Sequence, residues 1–158
     1  WLHRGKPTAL GAASGAVAGL VAITPASGYV GPMAAIAIGG IVSLIFYSAI
    51  LLKGKLGYDD SLDVFGVHGV GGTWGAIATG LFASKLINPA GADGLFHGNP
   101  ALLGKQLIAI VSVAAYSFIM TFILLKVVNL ITPLRVDKEE EETGLDLTQH
   151  GEVGYSLQ

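Results

Sequence analysis

The polar positions of this chain fall in blocks, with long apolar stretches between them. From Pro7 to Leu52 no Asp, Glu, Lys, Arg or His occurs. At about 20 residues per crossing, that is enough for two membrane-spanning helices. The breaker cluster from Pro25 to Pro32, with Gly28 and Gly31 inside it, divides the stretch. The pattern predicts a first helix over about 7–24, with Pro7 in its first turn, and a second over about 33–52. A third apolar run, 64–84, is interrupted only by His68. Asp63 stands just before it as an N-cap whose charge suits a helix N-terminus. A fourth helix is predicted over about 106–127. Barrel strands would be about ten residues long with alternating polarity, so only helices fit these runs. The expected fold is an all-α integral membrane protein with four transmembrane helices here. Its expected organisation is a membrane region over 1–134 and a polar tail over 135–158.

Composition sharpens this. Charged residues make up 13%, about half the usual quarter, and hydrophobic residues 52%. That excludes a disordered chain and argues against a soluble domain. The 23 glycines show no period of three, so the chain is not collagen-like. With no cysteine there is no disulfide framework, zinc-thiolate site or cysteine nucleophile. A net charge of −2 gives no sign of nucleic acid as a partner. The basic residues set the orientation. Arg4, Lys6, Lys53, Lys55, Lys126, Arg135 and Lys138 share one side of a four-crossing chain, and only Lys85 and Lys105 lie on the other. The positive-inside rule places the larger group, and therefore the tail, in the cytoplasm.

Two stretches could carry chemistry. Gly11, Gly15 and Gly19 recur every four residues on the first helix, a spacing that lets another helix approach closely or leaves room for a narrow pore. The third helix holds a lone imidazole, His68. Its neighbours at i+4, i+7 and i+11 are Gly72, Gly75 and Thr79, on much the same face, which is almost bare of side chains. An ionisable group inside a span usually faces the bundle interior or a cavity and marks a functional site. A neutral ring offers one donor and one acceptor, which suits passing a hydrogen bond or a proton along a dry path. The alternative is a core histidine tied to a carbonyl or hydroxyl. His68 lies only five residues beyond Asp63, roughly 7–8 Å along the axis, so a central position requires the helix to begin inside a recess. His97 and His150 show no metal-ligand spacing with it, and no cofactor or metal is implied. Asn88-Pro89-Ala90 reads as a turn in the long connection from Lys85 to Gly104. No nucleophile or carboxylate stands at a recognisable spacing from His68, so an enzyme is not expected.

The stretch Asp59-Asp60-x-x-Asp63-Val64-Phe65-Gly66-Val67-His68-Gly69-Val70-Gly71-Gly72 resembles the signature of ammonium transporters, the Amt/Mep/Rh family. Gly5 to Ala26 resembles the eighth helix of that family, and Gly94-Leu95-Phe96-x-Gly98 its last outer loop. Gly144-Leu145-Asp146-x-Thr148-x-His150-Gly151-Glu152-x-x-Tyr155 resembles its cytoplasmic tail. The resemblance covers essentially the whole chain, in order.

It implies spans eight to eleven of an eleven-helix, inverted-repeat fold that assembles as a homotrimer in the cell membrane, with one hydrophobic pore per subunit. It implies that His68 is the second of twin pore histidines. Val64, Thr24, Val17 and Ser14 would line the cytoplasmic half of the pore, and Asp63 would open the tenth span. The first pore histidine, the outer aromatic gate and the outer recruiting site would belong to earlier spans, so the chain is expected to be a fragment. The substrate implied is ammonium or ammonia. Gly144, Asp146, Thr148, His150, Gly151 and Tyr155 would form a regulatory tail that docks under a neighbouring subunit, with Thr148 at a position phosphorylated in plant relatives. A PII-type signal protein is the implied cytoplasmic partner. An ammonium sensor of the same family, or a four-helix membrane scaffold if the chain is complete, are the alternatives.

Overall fold

The computed structural model describes residues 5–153. Every regular element among them is helical. Two compact units divide the chain, one running to Val113 and the other beginning at Ala114.

In the first unit, α1 (Ala9–Ile23) starts where Thr8 accepts a hydrogen bond from the Gly11 amide at 3.0 Å, satisfying one of the free amides of a helix start. Thr24 to Ala26 tighten into a 3₁₀ turn, because Pro25 can neither donate a backbone bond nor sit inside an α-helix. After a turn through Gly28, α2 (Pro32–Leu56) begins with proline in its first position. It ends at Gly57, whose left-handed backbone (φ 67°) lets its amide reach the Lys53 carbonyl. The third helix has two parts. A π-helical turn, Phe65–Val70, leads directly into α3 (Gly71–Phe82). A short 3₁₀ turn (Leu95–His97) then precedes α4 (Pro100–Ile131), which starts where Asn99 accepts from the Ala101 amide at 3.2 Å.

Small residues build the core. Ala18, Ala22 and Ala26 of the first helical stretch are fully buried, against Ile38, Val42 and Phe46 of α2 and Val67 and Ala78 of the third helix. Each row advances about one helical turn per residue. α1 and α3 run in parallel, with Ala18 opposite Gly71 and Ala22 opposite Gly75. α2 runs the other way: Phe46 meets Gly66, Val42 meets Gly71, and the Trp74 indole donates to the Ile38 carbonyl at 3.1 Å. Close backbone approach of this kind suits a lipid solvent. Tails there are as apolar as the side chains, and packing rather than water exclusion joins helices.

Within the described residues the Gly11-Gly15-Gly19 row of α1 faces no packed helix at Gly15 or Gly19. A Cβ at Gly15 or Gly19 would meet nothing within 4 Å. The alanine row beside it makes the contacts instead. Ala9–Ala26, Pro32–Leu56 and Pro100–Ile131 are each long and apolar enough to cross a membrane. α4 extends beyond 106–127 at both ends, since Lys105 and Lys126 do not end a helical backbone, and long basic side chains reach outward. No residue of α4 is buried, and Tyr116 and Phe118 are exposed. An apolar surface of that length requires lipid or protein against it.

The connection between α3 and α4 is tied to the helices. The Ser84 amide donates to the Tyr29 carbonyl at 2.9 Å, and the Gly94 amide to Ala83 at 2.8 Å. Asp93 accepts from the Lys85 amide at 2.8 Å. Asn88 accepts from the Ala90 amide at 3.1 Å, closing the turn at Pro89. In the second unit, α5 (Lys138–Thr143) is followed by a π-helical turn, Asp146–His150.

Candidate functional site

The site centres on the start of the third helix. Three acidic residues precede it, and they divide the work differently from the simple N-cap pattern. Asp63 does stand where the helix opens, and its carbonyl accepts from the Val67 amide at 2.9 Å. Its carboxylate caps nothing. It is ion-paired with Lys53 at the end of α2, and its backbone is left-handed (φ 56°). The capping carboxylate is that of Asp60, which accepts from the Val64 amide at 2.8 Å and the Phe65 amide at 3.0 Å. Lys53 also donates to the Asp60 carbonyl at 2.7 Å. The left-handed bend at Asp63 swings its side chain back toward α2, so an acid three residues earlier meets the free amides.

The π turn also alters which residues share a face with His68. The Gly71 amide reaches back five residues to the Gly66 carbonyl. The extra residue in that turn shifts the angular phase between His68 and everything after it. Gly75 is buried against the first helical stretch and Thr79 is buried as well, whereas His68 is exposed. The expected bare face shared by His68, Gly72, Gly75 and Thr79 is therefore split. Gly72 stays open, with nothing within 4 Å of its added Cβ. Among the described residues the His68 ring is held by neither a carbonyl nor a hydroxyl.

Val64 opens the same turn and is exposed, as are Val17 and Thr24, while Ser14 is half-buried. The parallel register of α1 and α3 brings the Ser14–Val17 turn level with the turn that carries His68. Thr24 lies seven residues beyond Val17, about 10 Å farther along the axis. Its hydroxyl donates to the Leu20 carbonyl at 2.7 Å. Ser14, Val17, Val64 and His68 thus gather at one end of the helix pair, and Thr24 stands apart. No group of acidic or histidine residues able to hold a metal occurs among the described residues.

In the second unit, Thr148 is half-buried, and both its amide and its hydroxyl donate to the Gly144 carbonyl, at 3.2 and 3.1 Å. The Glu152 amide reaches the Asp146 carbonyl at 2.9 Å, and Gln149 donates to Glu140 at 2.9 Å. Gly144 and Gly151 both take positive φ, 105° and 63°. His150 is the last residue of the π turn. Tyr155 lies outside the described residues.

The regular elements among the described residues are all helices, and three helical stretches are long and apolar enough to cross a membrane, which defines the class as an all-helical membrane protein. Residues 1–155 match the family model described as Ammonium Transporter Family. The chain belongs to that family. It is 57% identical over 156 residues to an ammonium transporter of Bacillus subtilis, covering 98% of this chain and 39% of that protein. It is 48% identical to an ammonium transporter of Archaeoglobus fulgidus, with 99% and 39% covered. Among solved structures, Saccharomyces cerevisiae Mep2 superposes with a TM-score of 0.80 at 37% identity, over 91% of this chain and 34% of that one. A Candida albicans Mep2 variant superposes at 0.77 and 39% identity, over 85% and 35%. The chain spans about two fifths of the length of the curated relatives it matches.

Proposed function

We propose that the protein carrying this segment conducts ammonium across a cell membrane, and that α1 and the third helix form part of the pore wall. His68, Val64, Val17 and Ser14 line it near His68, and Thr24 lines it farther along. The observation that carries the reading is the exposed imidazole of His68, projecting from an otherwise uncharged helix in a member of this family.

The chemistry follows from the lining. Ammonium resembles potassium in size and charge. An apolar passage imposes a large desolvation cost on either ion, and a far smaller one on ammonia. The imidazole accepts a proton at its free ring nitrogen, so ammonium gives up its proton near His68 and ammonia crosses. The valines keep water and hydrated ions out. Replacing His68 with alanine in the whole transporter, reconstituted into vesicles, is expected to change ammonium flux at least tenfold or abolish it. Wild-type flux with unchanged discrimination against potassium would refute the role. The same flux assay separates transport from the sensor alternative.

We also propose that residues 135–158 form a cytoplasmic regulatory tail of a homotrimer, with 1–134 as the membrane region. Supporting this, the Thr148 hydroxyl is spent on a local turn beside Asp146 and Glu152. A phosphate there would add about −1.5 to −2 charges next to those acids and remove the donated bond. The partner proposed at the cytoplasmic mouth is a PII-type signal protein, as the family resemblance implies. The C-terminus then lies in the cytoplasm.

A further inference from the structure

We propose that Asp60 is a positioning residue for His68: its carboxylate sets the start of the π turn, and through it the side of the helix from which the imidazole projects. The inference rests on the reading of His68 as the pore group.

Five bonds converge on this loop. Both oxygens of the Asp60 carboxylate are used, one on the Val64 amide and one on the Phe65 amide. Two acceptors on two successive amides define a register, which a single cap bond does not. Asp60 is itself held, since its carbonyl accepts from Lys53 at 2.7 Å and from the Asp63 amide at 3.2 Å. Lys53 closes the clasp by pairing with Asp63, at the residue whose φ of 56° bends the chain into the helix. The end of α2 and the first turn of the third helix are thereby one unit.

What the clasp fixes is an irregular turn. Phe65–Val70 bonds five residues back at Gly71, while the helix beyond bonds four back. Downstream packing at Val67, Gly71 and Gly75 holds one end of this turn. Asp60 holds the other. A slip of one residue between them would rotate the imidazole by about 100°. It would carry His68 off its open side and toward the packed one. Asp63, three residues on, spends its carboxylate on Lys53, and the two amides are met by Asp60.

The test uses the whole transporter in vesicles with Asp60→Ala, Asp60→Asn and His68→Ala side by side. Asp60→Ala is expected to lower ammonium flux at least tenfold, and Asp60→Asn, which keeps one acceptor oxygen, to fall between it and wild type. The ¹⁵N resonances of the His68 ring, read by magic-angle-spinning NMR in Asp60→Asn, are expected to move. Unmoved resonances overturn the proposal even if flux falls, because the loss then arises elsewhere. Wild-type flux in Asp60→Asn also overturns it. Should Asp60→Ala fail to assemble, Asp60→Asn decides alone. If His68→Ala is impaired and the Asp60 variants are not, only the positioning role fails. If His68→Ala conducts like wild type, the pore reading itself fails.

Discussion

The carbonyl of Ala22 lies where a side chain at position 75 would have to begin: a Cβ on Gly75 would come within 2.3 Å of that oxygen and within 2.9 Å of the Pro25 ring. Neither neighbour can yield easily. The carbonyl belongs to the helix backbone and the proline to the 3₁₀ turn that ends the first span. Glycine at 75 is therefore what allows α1 and α3 to touch.

Gly75→Ala is expected to push the two helices apart and to cost at least the 1–3 kcal/mol typical of overpacking, roughly. The measurement is the temperature at which the whole transporter loses its assembly in detergent. A variant as stable as wild type would show that the helix pair is looser than its geometry.

Trp74→Phe removes the indole bond to the Ile38 carbonyl and keeps most of the ring packing. Side-chain bonds between helices in lipid average about 0.6 kcal/mol. The expected loss of thermal stability is small, well under that of Gly75→Ala, and flux is expected to stay within twofold of wild type. A loss matching that of Gly75→Ala would mean that Trp74 contributes more than one bond.

Asp93→Ala leaves the Lys85 amide without its acceptor. Loss of one such bond typically costs about 1 kcal/mol. Here it is expected to appear locally, as faster hydrogen exchange between 85 and 93 with exchange in α1 unchanged. Uniform acceleration across the helices would assign the loop a wider role.

Thr148→Asp places a carboxylate where a hydroxyl donates to Gly144, close in sequence to Asp146 and Glu152. The expected outcome is altered flux in vesicles with unchanged assembly, and Thr148→Val is expected to give a smaller change. Flux equal to wild type in Thr148→Asp would remove the tail from the regulatory scheme.

The uncharged runs and the prolines make the helices legible. Pro25 and Pro32 mark the exit of one and the start of the next, for reasons that are local to the backbone. His68 is legible because an ionisable residue is conspicuous in an apolar run. The π turn is not. Whether an amide bonds four or five residues back depends on contacts at both ends of the turn, at Asp60 on one side and at Val67 and Gly71 on the other, and no residue type announces it. The exchange of roles between Asp60 and Asp63 is hidden for a similar reason. It depends on the left-handed bend at Asp63 and on Lys53, ten residues earlier, whose bond becomes visible only once α2 and the third helix lie together. The glycine row of the first helix is legible as a small-residue face, but what covers it is not. Its spacing is that of a packing face, but the alanines beside it make the contacts within this segment.

A core assembled from Ala18, Ala22, Gly71 and Gly75 has a thermodynamic consequence. When these helices meet in a bilayer, the surface they cover is taken from lipid tails, not from water. The large heat-capacity change that accompanies dehydration of a soluble core has little to draw on. The stability of this helix packing should vary with temperature along a nearly straight line, and cooling, which weakens a water-driven core, should leave the contact between Ala22 and Gly75 intact.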